Sequence, residues 1–167
     1  MRAAVLTIST SKAAGDGEDE SGPRLEALAR ELGARAVERD LVADDRGLIE
    51  RRLRHWCDEE RCALVLTSGG TGVSPDDVTP EATRAVLERE IPGIAEAMRL
   101  ASQPHTPHWM LSRATAGVRK ATLIVNLPGN PRAIAQVGEA LAPSLTHALA
   151  LIAGARTDHG SADHDRA

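Results

Sequence analysis

The sequence predicts an α/β domain in which a mainly parallel sheet lies between two layers of helices, a three-layer α/β/α sandwich. Short apolar runs rich in β-forming residues alternate along the chain with segments whose apolar residues recur at helical spacing. The run at residues 63–66 shows no polar alternation, which is typical of a parallel strand buried on both faces. A length of 167 residues with 42% apolar content suits one hydrophobic core.

Three strands and two helices are predicted in the first half of the chain. Short β-forming runs predict the strands, at residues 3–8, 36–42 and 63–66, with a polar loop after the first. Helical spacing predicts a helix at residues 23–32, since Pro23 suits a first turn and Gly33 a C-terminal stop. The second helix begins after Asp44 or Asp45, either of which can cap it.

The second half adds three helices and one strand. Thr79 is expected to cap the first of these helices, with Pro80 in its first turn. A further helix is predicted at residues 94–100, and a strand at residues 122–125. The apolar face of the last helix continues past Pro143, where we expect a bend.

The alternation runs without a linker or internal repeat, so one domain is expected at residues 1–154. Residues 155–167 carry almost no apolar side chains and are predicted to be a disordered tail. His159 and His164 lie there among aspartates, and a solvated terminus is favoured over a metal site.

Charge and cysteine content narrow the function classes. The formal net charge is −4 at pH 7, and acidic and basic residues are interspersed, which argues against bulk binding of nucleic acid. Cys57 and Cys62 are predicted to be reduced, partly buried thiols rather than a disulfide or a metal pair. The sequence shows no secretory leader and no apolar run near the ~18 residues of a membrane span, so we expect a cytoplasmic protein.

The most informative stretch, residues 66–80, joins an apolar run to a glycine-rich turn and two adjacent carboxylates, Asp76 and Asp77. Glycines let the backbone approach an anion closely, and carboxylates can hold the divalent cation that accompanies a phosphorylated ligand. This pattern predicts phosphate chemistry. The dinucleotide pattern G-x-G-x-x-G fails at Pro75, and no G-x-x-x-x-G-K-[ST] is present, which disfavours nicotinamide dehydrogenases and P-loop hydrolases.

Three loops are expected at one edge of the sheet, because ligands of such folds bind beyond the carboxyl ends of the strands. These loops are residues 9–22, 67–77 and 126–130. Asp44, at the end of the second predicted strand, can join them.

Four motifs in order carry a resemblance to a known family: TSGGTG at residues 67–72, DVTPEAT at 77–83, LSR at 111–113 and NLPGNP at 126–131. With these motifs the chain closely resembles the molybdopterin adenylyltransferases of the MogA and MoaB type over nearly all of residues 3–153. The resemblance implies an α/β/α domain of the molybdopterin-binding type, commonly a homotrimer. It also implies transfer of AMP from ATP to the terminal phosphate of molybdopterin, a pterin dithiolene, with release of pyrophosphate. Adenylated molybdopterin then receives molybdate, usually on a partner such as a molybdenum-insertion protein.

The same resemblance assigns residues to roles. Asp44 and Asp77 match the two catalytic aspartates, which would hold Mg²⁺ directly or through water, whereas Asp45 and Asp76 are assigned to capping and turn roles. The implied substrate-binding residues are Ser68, Gly69, Gly70, Thr71, Gly72, Ser112, Asn126, Pro128 and Gly129. Backbone N–H groups of the glycine turn would contact phosphate, and Ser112 and Asn126 would line the pterin and dithiolene pocket.

Two alternatives remain open at this point. The chain can be a non-catalytic molybdopterin-binding module or carrier of the same fold, although the presence of both aspartates favours the enzyme. His105 and His108 have the spacing of paired metal ligands on a helix, but Pro104 and Pro107 make that segment irregular, and surface or interface histidines are favoured.

Overall fold

A six-stranded sheet forms the middle layer of the computed structural model, which describes residues 1–155. The strands are β1 (Arg2–Ile8), β2 (Ala36–Val42), β3 (Leu64–Ser68), β4 (Arg89–Glu90), β5 (Ala116–Arg119) and β6 (Thr122–Leu127). Their order across the sheet is β2-β1-β3-β6-β5-β4. The first four strands in that order run parallel, and β5 and β4 complete one edge antiparallel to their neighbours.

Helices cover both faces of this sheet. They are α1 (Thr10–Ala13), α2 (Ser21–Glu31), α3 (Arg46–Asp58), α4 (Thr79–Val86), α5 (Pro92–Ser102) and α6 (Pro131–Ile152). One buried apolar cluster joins α2, α5 and α6 to the sheet, and a second joins α3 and α4 to its opposite face. The predicted α/β/α sandwich with a mainly parallel sheet is therefore confirmed.

The alternation of side chains along the strands explains the two clusters. In β1, Val5 packs into the α2 cluster and its neighbour Leu6 into the α3 cluster, and every residue of β3 and β6 is buried. Successive side chains of a strand point to opposite faces, so a strand covered by helices on both sides is mostly apolar, and its buried polar residues, such as Thr67 and Asn126, are hydrogen-bonded. The unbroken apolar character of residues 63–66 has this cause.

Most predicted elements lie within a few residues of their observed positions, but four details were missed. The short α1 occupies part of the predicted loop, and β4 and β5 had no prediction. The predicted capping role of Asp45 is confirmed, since its Oδ1 accepts from the N–H of Leu48 at the start of α3 at 2.7 Å. Thr79 caps nothing, because its hydroxyl donates to the Gly69 carbonyl instead.

Both cysteines in the described part of the chain are free and buried, as predicted. Burial raises the pKa of each thiol to about 11, so both are protonated at neutral pH. Among the helices of residues 1–155, none combines the length and apolar character of a membrane span. Apart from Ala155, the tail predicted to be disordered, with His159 and His164, lies outside the described residues.

Asp58, at the end of α3, ties that helix to the β5–β6 turn. Its carboxylate accepts from Arg119 Nη2 at 2.7 Å and pairs with Lys120 Nζ at 2.8 Å. These hydrogen bonds, that of Arg119 first, lower the pKa of Asp58 from 3.8 to about 2. A carboxyl with a depressed pKa in the folded state stabilises the protein above its unfolded pKa and loses that contribution as pH falls.

We therefore expect Asp58→Asn to lower the free energy of unfolding by about 1 kcal/mol at pH 7, because the ion pairs are partly screened by solvent. The difference from the parent protein should shrink as pH falls from 3.8 toward 2. Urea unfolding at a series of pH values measures it. A difference that stayed constant down to pH 2 would contradict the assignment.

Candidate active site

The candidate site lies where the strand order changes direction. From β1 the chain crosses to β2 on one side of the sheet and then returns to β3 on the other side. The chain therefore leaves the neighbouring strands β1 and β3 in opposite directions, which opens a crevice between the loops that follow them. Crevices at such switch points, beyond the carboxyl ends of the strands, are the usual ligand sites of open α/β sheets. The three predicted loops do meet here.

Hydrogen bonds from hydroxyl groups join these loops. Ser68 Oγ donates to the Pro128 carbonyl at 2.7 Å, and Ser21 Oγ donates to the Gly129 carbonyl at 3.2 Å. Thr79 Oγ1 donates to the Gly69 carbonyl at 2.8 Å, which ties the start of α4 to the glycine turn. The turns after β3 and β6 are thus held together, and the loop after β1 is attached to them.

The glycine turn after β3 has a backbone that side chains would obstruct. Gly69 has φ +107°, and a Cβ there would lie 2.0 Å from the carbonyl oxygen of Ile8. Gly70 has φ +61°, and a Cβ there would lie 2.4 Å from Thr79 Oγ1 and 2.9 Å from Asp44 Oδ1. Glycine is therefore required at both positions, and the turn packs directly against Asp44.

Asp44 reaches the turn from the end of β2. Its Oδ2 accepts from the backbone N–H and from the hydroxyl of Thr10, both at 2.8 Å. The N–H of Asp44 donates in return to Thr10 Oγ1 at 3.1 Å. This reciprocal pairing fixes the carboxylate and leaves Oδ1 beside Gly70, so the structure places Asp44 against the glycine turn, where the sequence analysis expected it to join the loops.

Asp77 lies at the other end of the glycine loop. Its Oδ2 accepts from the N–H of Ser74 at 2.8 Å, and a Cβ on Gly72 would lie 2.9 Å from that oxygen. The neighbouring Asp76 is exposed. Asp44 and Asp77 therefore lie against two glycines of one turn, Gly70 and Gly72.

Arg113 is a site residue that the sequence analysis quoted within a motif but gave no role. Its guanidinium donates to the carbonyl oxygens of Gly72 at 2.6 Å and Asp77 at 2.5 Å, and to the carboxylate of Glu81. Partial burial opposes ionisation of Glu81, but the hydrogen bond from Arg113 and the charge of that residue outweigh it, so its pKa lies below its ordinary value.

Two cavities flank the loop at residues 72–77. The first, of about 320 Å³, is lined by five of the predicted substrate-binding residues, Thr71, Gly72, Ser112, Pro128 and Gly129. His105, His108 and Trp109 form another part of its wall, which the sequence analysis missed because that segment lacks a regular pattern. The second, of about 500 Å³, is lined by Asp77, Glu81, Arg46 and Arg113. Within residues 1–155 no group of three or more His, Cys, Asp or Glu is arranged as a metal site.

Ser68 and Asn126 require a correction, because their side chains do not line either cavity. Ser68 is 1% exposed and Asn126 is 0% exposed. Asn126 lies inside β6 rather than in the loop after it, and its Nδ2 donates to Thr67 Oγ1 at 3.0 Å and Thr83 Oγ1 at 2.9 Å. Both side chains are buried and hydrogen-bonded within the protein, beneath the loops of the site.

Fold and site together define a class of protein: an α/β/α domain with a glycine turn and two carboxylates at the switch point of a parallel sheet. Residues 4–147 match the model of a family described as "Probable molybdopterin binding domain". The chain belongs to this molybdopterin-binding family, and the family membership predicted from the four motifs is confirmed.

Relatives and solved structures agree with this membership. The molybdopterin adenylyltransferase of Helicobacter pylori strain J99 is 41% identical over 152 residues, which cover 90% of this chain and 86% of the relative. The molybdopterin biosynthesis enzyme MoaB of Thermus thermophilus superposes with a TM-score of 0.82 at 44% identity, covering 92% of this chain and 97% of that one. The Mog protein of Mycobacterium ulcerans gives 0.84 at 41% identity, covering 90% and 97%.

Proposed function

We propose that this protein transfers AMP from ATP to the terminal phosphate of molybdopterin, releasing pyrophosphate, as a step of molybdenum cofactor biosynthesis. The observation that carries the proposal is the placement of Asp44 and Asp77 against Gly70 and Gly72 of one turn. Gly72 lines one of the two cavities and Asp77 the other. Relatives at about 40% identity over most of the chain are named molybdopterin adenylyltransferases, which supports the same reaction here.

The glycine turn suits the chemistry of two anionic reactants. A phosphate oxygen that attacks the α-phosphorus of ATP has to approach another set of negative charges, so positioning and charge neutralisation supply most of the catalysis. Within residues 1–155, the backbone N–H groups of Gly70, Thr71 and Gly72 donate no hydrogen bond to the protein. Three neighbouring donors of this kind can bind phosphate oxygens.

The carboxylates suit a divalent cation, and we propose that Asp44 and Asp77 would hold Mg²⁺. One oxygen of each accepts hydrogen bonds from the protein, whereas the other, within residues 1–155, accepts none. Mg²⁺ prefers such hard oxygen ligands and is commonly held by one or two carboxylates together with substrate phosphates. When bound, it supplies neutralisation of the phosphate charge.

Asp44→Asn tests the first carboxylate. The amide oxygen of asparagine can still accept from Thr10, so the fold should persist, while kcat for AMP transfer should fall by about 10²-fold because the negative charge is lost. Product formation under saturating ATP and Mg²⁺ measures it.

Asp45→Asn is the matched control, since asparagine also caps helices and the change removes a charge at the adjacent position. Asp45→Asn should remain within about twofold of the parent rate, as expected for a surface change. Equal losses in both variants would refute the specific role of Asp44.

The decisive assay for the function incubates the purified protein with molybdopterin, ATP and Mg²⁺ and measures adenylylated molybdopterin and pyrophosphate. Formation of both products is expected. Binding of molybdopterin without formation of either product would reject the enzymatic function and leave the non-catalytic carrier. No feature of residues 1–155 favours the carrier independently.

Three further proposals concern assembly and surroundings. We expect a homotrimer from the family resemblance, and the exposed side chains of Leu100, Met110 and Leu111 offer apolar surface for subunit contacts. Sedimentation would reject this expectation if only monomers formed.

A molybdenum-insertion protein is the expected acceptor of the product. The two free thiols, Cys57 and Cys62, favour a reducing compartment, the cytoplasm.

A further inference from the structure

We propose that Arg113 is a positioning residue for AMP transfer, because it holds the loop at residues 72–77 and thereby sets the place of the Asp77 carboxylate. The inference rests on the proposed function, since it concerns how that reaction is organised. Arg113 touches none of the reacting groups in this assignment. It acts through the loop.

The guanidinium of Arg113 contacts the loop at both of its ends. Nε donates to the carbonyl of Gly72 at 2.6 Å, and Nη2 donates to the carbonyl of Asp77 at 2.5 Å. Nη1 donates to the Glu81 carboxylate on α4, which supplies a fixed anchor on a regular helix. One planar group therefore spans the loop and attaches it to the scaffold.

The loop itself has few other attachments. Val73, Ser74, Pro75 and Asp76, between the two carbonyls, are all exposed. Within the loop, the N–H of Asp77 donates to the Ser74 carbonyl at 3.0 Å, and that of Ser74 donates to Asp77 Oδ2 at 2.8 Å. These two bonds shape the turn, and Thr79 ties the start of α4 to the carbonyls of Gly69 and Gly70. Arg113 adds the side-chain contacts that hold residues 72–77 themselves, and with them the carboxylate of Asp77, against the scaffold.

Arg113 also connects the two cavities. Its own N–H donates to the Thr71 carbonyl at 2.8 Å, and the preceding residue, Ser112, lines the cavity of about 320 Å³. The side chain of Arg113 lines the cavity of about 500 Å³ with Asp77. A shift of this residue would change the distance between the cavity wall at Ser112 and the loop at residues 72–77. Misplacement by about 1 Å is enough to slow a reaction of this kind by about 10²-fold.

Only arginine has the geometry for this role. Its planar group carries five N–H donors in fixed directions, whereas lysine carries a single ammonium that cannot reach three separated acceptors in one plane. Lysine at this position should therefore keep the positive charge but no longer hold the loop at residues 72–77 in place. This difference separates positioning from a purely electrostatic contribution.

The first test compares the kinetics of variants. Arg113→Ala and Arg113→Lys should both lower kcat for AMP transfer by about 10²-fold, with the affinity for molybdopterin within about threefold of the parent. Added guanidinium should raise the kcat of Arg113→Ala by at least about tenfold and should leave the kcat of Asp77→Asn unchanged. Arg84→Ala, which removes an exposed arginine of the same helix as Glu81, should leave kcat unchanged.

The second test needs no activity and so separates this inference from the proposed function. Amide hydrogen exchange of Ser74 and Asp77, whose N–H groups donate hydrogen bonds within residues 72–78, should be about tenfold faster in Arg113→Ala than in the parent, and unchanged in Arg84→Ala. If the parent protein transferred no AMP, the proposed function would fail, while faster exchange would still support the role of Arg113 in holding the loop.

Two results would overturn the inference: a kcat of Arg113→Ala within about threefold of the parent, or unchanged exchange at residues 72–78 in a folded variant. If Arg113→Ala does not fold, Glu81→Gln replaces it, because glutamine weakens the anchor without removing the acceptor. It should give about a tenfold loss of kcat with faster loop exchange. Full activity with unchanged exchange in Glu81→Gln would overturn the inference equally.

Discussion

Replacing Asp77 with asparagine should lower kcat for AMP transfer by about 10³-fold while leaving the fold and molybdopterin binding intact. The amide oxygen of asparagine can keep the hydrogen bond from the N–H of Ser74, so the loop retains its shape. What disappears is the negative charge on the side of the loop that faces the larger cavity. We expect the loss in the chemical step, because Asp77 lines a different cavity from Ser112, the residue proposed to line the molybdopterin pocket.

Single-turnover kinetics with a separate measurement of molybdopterin affinity would check this prediction. Asp76→Asn provides the matched control, since it removes an adjacent carboxylate that is exposed to solvent. Its rate should stay within about twofold of the parent. Unchanged turnover in Asp77→Asn would refute the catalytic assignment, and an equal loss in Asp76→Asn would point to the summed charge of the loop instead.

Gly69→Ala should lower the free energy of unfolding by about 3 kcal/mol and abolish most activity. At φ +107° an alanine is strained, and its Cβ would lie 2.0 Å from the carbonyl oxygen of Ile8. Since that obstacle is backbone in the central strand β1, it cannot move aside as a side chain would. Either the glycine turn or the end of β1 must shift, and the shift alters the phosphate-binding donors.

Gly93→Ala is the control for this change, because it lies in the first turn of α5 and a Cβ there meets nothing within 4 Å. Alanine at that helical position should be neutral or stabilise by about 0.5 kcal/mol. Chemical unfolding of both variants, followed by assay of the folded protein, gives the two quantities. A fully stable and active Gly69→Ala would show that the turn tolerates a different conformation.

The parallel part of the fold was predictable because its signals are local. The apolar runs at residues 63–66 and 122–125 follow from burial on both faces. Proline is favoured in the first turn of a helix, as Pro80 is in α4. The antiparallel edge was not predictable in this way. β4 has only two residues, β5 contains a glycine, and the turn between β5 and β6 places Lys120 at φ +51°, where glycine or asparagine is the usual residue.

The candidate site was predictable to the extent that its residues belong to motifs. The glycine turn, Asp44 and Asp77 converge as expected, but the orientation of a side chain within a motif depends on how far the strand extends. Because β6 continues through Asn126, that residue is turned into the core. The role of Arg113 was not predictable for a related reason. Two of its three side-chain acceptors are main-chain carbonyls, which any residue provides, so no sequence pattern marks them.

The hydroxyl groups that join the three loops have a consequence for exchanging parts between relatives. Ser21 and Ser68 each donate to a carbonyl of the turn before α6, and Thr79 to one of the glycine turn. A chimera that imports one of these loops from a relative without the matching hydroxyl therefore leaves a main-chain carbonyl without its donor. To transfer the ligand preference of a relative, we therefore expect that all three loops have to be exchanged together. The residues around Trp109 lie outside this set of hydroxyl hydrogen bonds, so exchanging that segment alone can change ligand preference.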